Sequence, residues 1–185
     1  LGVLFYMMRK LIIIRGHSGS GKSTFAKQQI AEFELRFPSG KVFHIENDQF
    51  LYENNEYIWT KERFQSAKIL AEQKLASAWE FATSHPQLPV FIVISNVNLS
   101  LQVVEKYQNI ANSLQMKIEK YRLMNFFKNQ HNVDVYTVLS MYLALEQQPL
   151  EDEIIIKPIK QMPYFMRMIL EKMRKRRDKK GIQAV

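Results

Sequence analysis

The sequence predicts an α/β fold, a parallel sheet of about five strands with helices on both faces. Three observations predict it. Short apolar runs alternate with longer segments of helical period, the pattern of parallel strands joined by crossover helices. Leu11–Ile14 and Val90–Ile94 are continuous apolar runs rich in β-branched residues, as strands buried on both faces are. Polar clusters follow three candidate strands, at Gly16–Thr24, Asn47-Asp48 and Ser95–Asn98. Ligands of open parallel sheets bind at the carboxyl ends of the strands, so clusters far apart in sequence converge on one crevice.

Each element has its own signal. The strand Leu11–Ile14 leads through a glycine loop into a helix over Lys22–Arg36, halted by Pro38 and Gly40. Lys41–Glu46 reads as the second strand, and residues 53–60, polar and aromatic, as a loop. Lys61–Thr83 places Phe64, Ala67, Ile69, Leu70, Leu75, Ala78, Trp79 and Ala82 near the helical period, and SHPQLP breaks it. Val90–Ile94 is the third strand, Leu101–Leu114 a helix, Met116–Leu123 the fourth strand and Val135–Gln147 a helix. Ile154–Ile156, closed by Pro158, reads as a fifth strand, and Tyr164–Lys180 as a terminal helix that becomes strongly charged. No repeat or linker interrupts this order. The expected division is one domain over residues 8–160 and a basic helix and tail over 161–185. Residues 1–7 are expected to be a cloning remnant or an upstream extension, with Met7 or Met8 a natural start.

Composition narrows the class. With 185 residues, 46% of them apolar and 24% charged, the chain fits one globular domain with a real core. It has no cysteine, which excludes disulfides and thiolate metal sites. No apolar stretch approaches the roughly 20 residues that span a bilayer, so no membrane partner and a cytoplasmic location are expected. Residues 171–185 hold seven basic side chains against two acidic ones, five of the eight net positive charges. That segment reads either as a polyanion-binding patch or as a solvated helix end.

Gly16-His17-Ser18-Gly19-Ser20-Gly21-Lys22-Ser23 matches G-x-x-x-x-G-K-[ST] in full, after a strand and before a helix. The glycines let the backbone curl so that successive N–H groups point inward at phosphate oxygens. The helix that follows adds its positive N-terminal end. Residues Gly16 to Thr24 are therefore expected to bind a nucleoside triphosphate, ATP or GTP. Lys22 is expected on the β- and γ-phosphates, and the Ser23 hydroxyl on Mg²⁺.

The acceptor side is carried by fewer residues. Asp48, just past the second strand, reads as a base toward an attacking hydroxyl, as an outer metal ligand, or as a turn residue. Chains with this loop usually carry an aspartate at the end of a later strand to hold the metal, and FIVISN offers Asn96 there. Asn98 is expected to pin the loop or the phosphate-loop backbone.

Four stretches together, IIIRGHSGSGKSTFA, IENDQF, VFIVISNVNLS and KNQHNVDVYTVLSMY, resemble the P-loop polynucleotide 5′-hydroxyl kinases of bacteriophage and related small P-loop kinases. They look like that family's glycine loop, its I-x-x-D-D-[YF] motif, its strand ending D-[NT]-T-N, and its R-N-x-H-x-V lid with the helix behind. The likeness spans roughly Lys10 to Gln147. It implies a P-loop NTPase fold of the small-kinase type, phage-related origin, and ATP-dependent phosphorylation of a nucleic acid 5′ end. It implies that Asp48 is the general base and that Lys128 stands at the lid arginine, with Asn129 and His131 completing the lid motif. Tyr57 falls where the family has a tyrosine, and Arg122 stands where a second cation could serve the lid.

The chain departs from the family at Gln49 for the second aspartate, at Asn96 for the strand-end aspartate, and at Lys128 for the lid arginine. Lysine keeps the charge and loses bidentate contact. Leu51 and Tyr52 stand where the phage kinases have an arginine. These departures leave two further readings, a small-molecule kinase and a nucleotide-binding protein with weak or lost catalysis. The sequence sets no oligomeric state.

Overall fold

A computed structural model of the chain describes Gly2, residues 8–128 and residues 130–182, the last three of these by backbone alone. The expected extension over residues 1–7, apart from Gly2, and the lid position Asn129 lie outside the described residues. In chain order the elements are β1 (Arg9–Arg15), α1 (Lys22–Arg36), β2 (Lys41–Ile45), a 3-10 turn (Asn47–Leu51), β3 (Tyr52–Glu53) and β4 (Glu56–Tyr57). They continue as α2 (Lys61–Ser84), β5 (Val90–Ile94), α3 (Leu101–Ser113), β6 (Lys117–Arg122), α4 (Val135–Gln147), β7 (Glu153–Ile155) and α5 (Tyr164–Ile182).

The main sheet has five strands in the order β2-β5-β1-β6-β7, all parallel. β1 lies at its centre because RKLIIIR is apolar toward both faces. Leu11 and Ile13 face the core beneath α2 and α3, and Ile12 and Ile14 face the core beneath α1, the period-two alternation of a strand. The sheet of about five parallel strands with helices on both faces is as expected. The fold is an α/β P-loop NTPase fold.

Two helix faces explain how the sheet is covered. α2 buries Ala67, Ala71, Leu75, Ala78 and Ala82, a stripe of mostly small residues that brings the helix close to the sheet. Ile69 and Leu70, expected on that stripe, are 56% and 44% exposed instead. The alanine spacing sets the buried face and turns those two outward. α5 buries Leu170 with Val138, Leu139 and Leu143 of α4, while its basic side chains beyond Met173 are exposed through Lys179.

Part of residues 53–60, expected as a loop, instead forms the β3–β4 hairpin, in which Tyr52 pairs with Tyr57 and Glu53 with Glu56. Asn54 and Asn55 form its turn with φ of 50° and 64°, the left-handed pair that a two-residue hairpin turn needs. No helix among the described residues is long and apolar enough to cross a membrane.

Two buried arginines are held by several acceptors each. Arg9 donates to the carbonyls of Ala82, His85 and Leu88 at 2.7, 3.0 and 3.3 Å, closing the C-terminal end of α2. Arg15 donates to Glu153 at 2.8 Å and to the carbonyls of Asn98 and Gln148 at 2.9 Å each, tying β1 to β7. Both side chains of the Arg15–Glu153 pair are buried, at 0% and 5% exposure. The Arg63–Glu53 pair has similar contact geometry and lies open to solvent, at 34% and 57%. Removing one partner of a buried pair leaves an uncompensated charge. Glu153→Gln is therefore expected to lower unfolding free energy by about 3 kcal/mol, and Glu53→Gln by no more than about 1 kcal/mol, in urea titrations.

Candidate active site

The phosphate loop runs from the end of β1 to the start of α1, and its shape depends on glycine where side chains would collide. A Cβ on Gly16 would lie 2.2 Å from Ser20 Oγ and 3.0 Å from the Leu123 carbonyl. Gly21 has φ +97°, and a Cβ there would lie 3.0 Å from the Phe127 ring. Gly21 is also the N-cap of α1 and offers no capping side chain. Thr60, Ser100 and Asp134 cap α2, α3 and α4 with side-chain oxygens. The first N–H groups of α1 therefore have no side-chain acceptor at the cap, in the setting where a phosphate would serve.

The loop is held from outside. Asn125 donates through Nδ2 to the Ser20 carbonyl at 3.1 Å, and its Oδ1 accepts from the N–H groups of Ile159 and Lys160 at 2.8 and 3.1 Å. His17 donates through Nε2 to the Asn125 carbonyl at 2.8 Å and stacks on Phe126. Phe127 N–H donates to the Gly19 carbonyl at 3.0 Å. Ser18 borders a cleft lined also by Phe127, Lys128, Val133 and Met166. Thr24 is exposed in the first turn of α1.

Lys22 folds back over the loop and donates to the His17 carbonyl at 3.0 Å. Burial pushes its ammonium down to about 8, and the nearby carboxylates of Glu46 and Asp48 oppose that shift only in part. An added polyanion would favour the charged form. Ser23 donates a short hydrogen bond to Glu46 Oε1. Burial raises the Glu46 carboxyl above its ordinary range, while the Ser23 bond and the charges of Lys22 and Lys27 pull the other way.

Asp48 lies in the 3-10 turn after β2, with its side chain 41% exposed and Lys22 within electrostatic reach. The Tyr57 hydroxyl donates to it, and burial followed by the Asp48 charge pushes that phenol up to about 12. His131 Nε2 lies 3.6 Å from Asp48 Oδ2, and its ring packs on Tyr57 at 4.0 Å between centroids. The candidate base, the hairpin tyrosine and the lid histidine thus meet beside the loop.

The remaining expected residues have structural contacts. Asn96 Oδ1 accepts from Asn47 N–H at 2.9 Å and so anchors the turn that carries Asp48. Asn98 donates to the carbonyls of Ile14 and Ile94 at 2.9 and 3.2 Å, pinning the ends of β1 and β5. Gln49 points away from the loop. Its amide donates to His44 Nδ1 at 3.0 Å and its oxygen accepts from Lys74 at 3.4 Å. His44 Nε2 then donates to Ser95 Oγ at 2.6 Å.

Lys128 is exposed on the cleft beside Ser18. Arg122, expected as a second cation for the lid, has its guanidinium buried beneath α4, where it lies over the Tyr142 ring and donates to the Tyr142 carbonyl at 3.4 Å. Glu46 is the site residue that sequence reasoning missed. An acid that ends a strand reads as part of it, and only the sheet register turns this one toward Ser23.

No family model matches the chain. A protein of Pasteurella multocida (strain Pm70), uncharacterized protein PM0531, is 53% identical over 155 residues, 84% of this chain and 87% of that protein. A stretch of 37 residues is 54% identical to uncharacterized protein V3 of Sputnik virophage, 20% of this chain and 15% of that one. Among solved structures, a chain of the PezAT chromosomal toxin-antitoxin system of Streptococcus pneumoniae matches with a TM-score of 0.50 at 14% identity, over 92% of this chain and 86% of its own. The Mycobacterium tuberculosis APS kinase CysC, in complex with AMPPNP and APS, gives 0.48 at 13% identity, over 90% and 98%. At 14% identity the likeness to the PezAT chain is one of fold alone.

Two site histidines make stability depend on pH. Burial is the leading cause that pushes both His17 and His44 down to about 4, with nearby cations adding to it. The unfolded chain takes up protons between about pH 6.5 and 4 that the folded chain does not, so stability falls as pH falls through that window. Each histidine is expected to contribute about 2 kcal/mol of loss between about pH 7 and pH 5. Urea titrations at the two pH values should show His44→Gln losing less than the parent chain by about that amount.

Proposed function

The chain belongs to the family of the Pasteurella multocida protein PM0531, and for this member we propose a kinase that transfers the γ-phosphoryl group of ATP or GTP to a hydroxyl, the 5′-hydroxyl of a nucleic acid. The observation that carries the reading is the meeting of Asp48 with the phosphate loop. A carboxylate capable of taking a proton lies within electrostatic reach of Lys22, at the edge where a triphosphate would end.

In this reading Asp48 accepts the proton of the acceptor hydroxyl while that oxygen forms its bond to the γ-phosphorus. The bond from that phosphorus to the bridging oxygen breaks, and the nucleoside diphosphate leaves with the electron pair. Tyr57 orients the Asp48 carboxylate through its hydrogen bond, and His131 flanks it. Lys22 and Lys128 offset charge on the transferred group as point charges. The donor set around Ser23, one hydroxyl and carboxylate oxygens, suits Mg²⁺, which when bound neutralises charge on the β- and γ-phosphates. The basic end of α5 would draw a polyanionic acceptor toward the protein.

The test is an acceptor screen with γ-labelled ATP and GTP, set against 5′-hydroxyl oligonucleotides and small hydroxyl compounds. Label on the oligonucleotide is expected. Label on small compounds alone would replace the acceptor class, and label on neither would overturn the kinase reading. Asp48→Asn is expected to cut transfer by about 10²- to 10⁴-fold while nucleotide affinity stays close to that of the parent chain. Unchanged transfer in that variant would remove Asp48 from its role.

A further inference from the structure

Ser23 and Asn96 together raise a question. A hydroxyl that ligates a cation offers it a lone pair, so its proton needs an acceptor on another side. The strand-end position that would supply a carboxylate holds Asn96, which carries no charge and whose Oδ1 is already engaged by Asn47 N–H at 2.9 Å. The neighbouring strand does supply one. β2 pairs with β5 in register, Ile45 beside Ile94, and Ser95 N–H donates to the Ile45 carbonyl at 3.0 Å. The residue after Ile45 therefore leaves the sheet beside Ser95, one strand over from Asn96. That residue is Glu46, and its Oε1 accepts the Ser23 hydroxyl.

We propose that Glu46, from the end of β2, takes over the metal-supporting carboxylate that Asn96 lacks. It holds the Ser23 proton so that the serine lone pair faces the divalent cation of the nucleotide complex, and it draws the water shell of that cation. No group of three or more histidine, cysteine, aspartate or glutamate side chains among the described residues forms a cage for a metal ion. A magnesium ion held by one serine, one carboxylate, waters and phosphate oxygens needs none. The inference rests on the donor half of the function proposed above and is independent of the acceptor.

The test measures binding in place of turnover. The β,γ-imido analogue of ATP is titrated into the parent chain and Glu46→Gln without metal, and Mn²⁺ is then titrated into each saturated complex by electron paramagnetic resonance. Glutamine keeps the shape and can still accept the Ser23 proton, so only the charge is lost. Mn²⁺ affinity is expected to fall at least about tenfold, with metal-free nucleotide affinity unchanged or higher. Parent-like Mn²⁺ affinity in the variant overturns the proposal. An equal loss of nucleotide affinity without metal overturns it too, since Glu46 would then only shape the loop. A parent chain that binds no analogue overturns both this inference and the kinase reading. Failure of transfer to every acceptor, with Mn²⁺ binding dependent on Glu46, would overturn the kinase reading and leave this inference standing.

Discussion

The site depends on how three neighbouring parallel strands end. β1 pairs with β5 and β5 with β2; Ile45 and Ile94 end at one level opposite Ile13, and β1 continues to Arg15 before the glycine loop. A parallel sheet that stops there exposes backbone carbonyls in the interior, and each needs a donor. Asn98 meets two of these needs with one amide, bonding the carbonyls of Ile14 and Ile94. Leu123 N–H meets the Arg15 carbonyl at 2.9 Å, and Ser95 N–H meets that of Ile45 at 3.0 Å. The crevice is thus a consequence of how the sheet ends. The glycine loop, the Asp48 turn and the Asn96–Asn98 segment lie together because they continue neighbouring strands.

A phosphate loop works by holding its N–H groups in place before the ligand arrives, since dipoles that must reorganise stabilise charge less. Asn125 does much of that holding. It links the Ser20 carbonyl to the backbone of Ile159 and Lys160, so the loop is fastened to the segment that leads into α5. His17 adds a second fastening and stays neutral because it is buried near Lys22 and Arg122. A charged histidine there would add a cation next to Lys22, whose ammonium is already disfavoured by burial.

Most of the fold was legible in the sequence because its signals were local. The boundaries of α1, β5 and α4 agree with the apolar period and its breakers. The β3–β4 hairpin carried a local signal too, since Asn-Asn between Tyr-Glu and Glu-Tyr is a two-residue turn pattern; the surrounding polarity hid it. The buried face of α2 was harder, because Ile69 and Leu70 outweigh alanine on hydrophobicity while alanine fits the close approach to the sheet. Glu46 was not legible at all. Its meaning comes from the β2–β5 register and from Ser23, and neither shows in a window of neighbouring residues. The surroundings of Arg122 were not legible either, since a cation at a strand end gives no local sign of the buried position under α4 that it occupies.

The departures from the kinase pattern sort by what their side chains touch. Gln49 and Asn96 replace acids, and both are amides, Asn96 bonded to the backbone of the Asp48 turn and Gln49 to the side chains of His44 and Lys74. An acid at Gln49 would face His44, which burial keeps neutral and which donates through its other nitrogen to Ser95. A carboxylate in that position would favour the protonated ring and put a charge pair where two neutral groups now share one hydrogen bond. Glu46 and Asp48 are the carboxylates that act on Lys22, and the amide at Asn96 adds no third charge beside them. Fewer carboxylates repel a triphosphate less, and the two that remain lie at distinct contacts, Glu46 on Ser23 and Asp48 on Tyr57 and His131. The amides therefore fit a division of labour at the loop, in which the hydroxyl of Ser23 has one carboxylate and the proposed proton acceptor is the other.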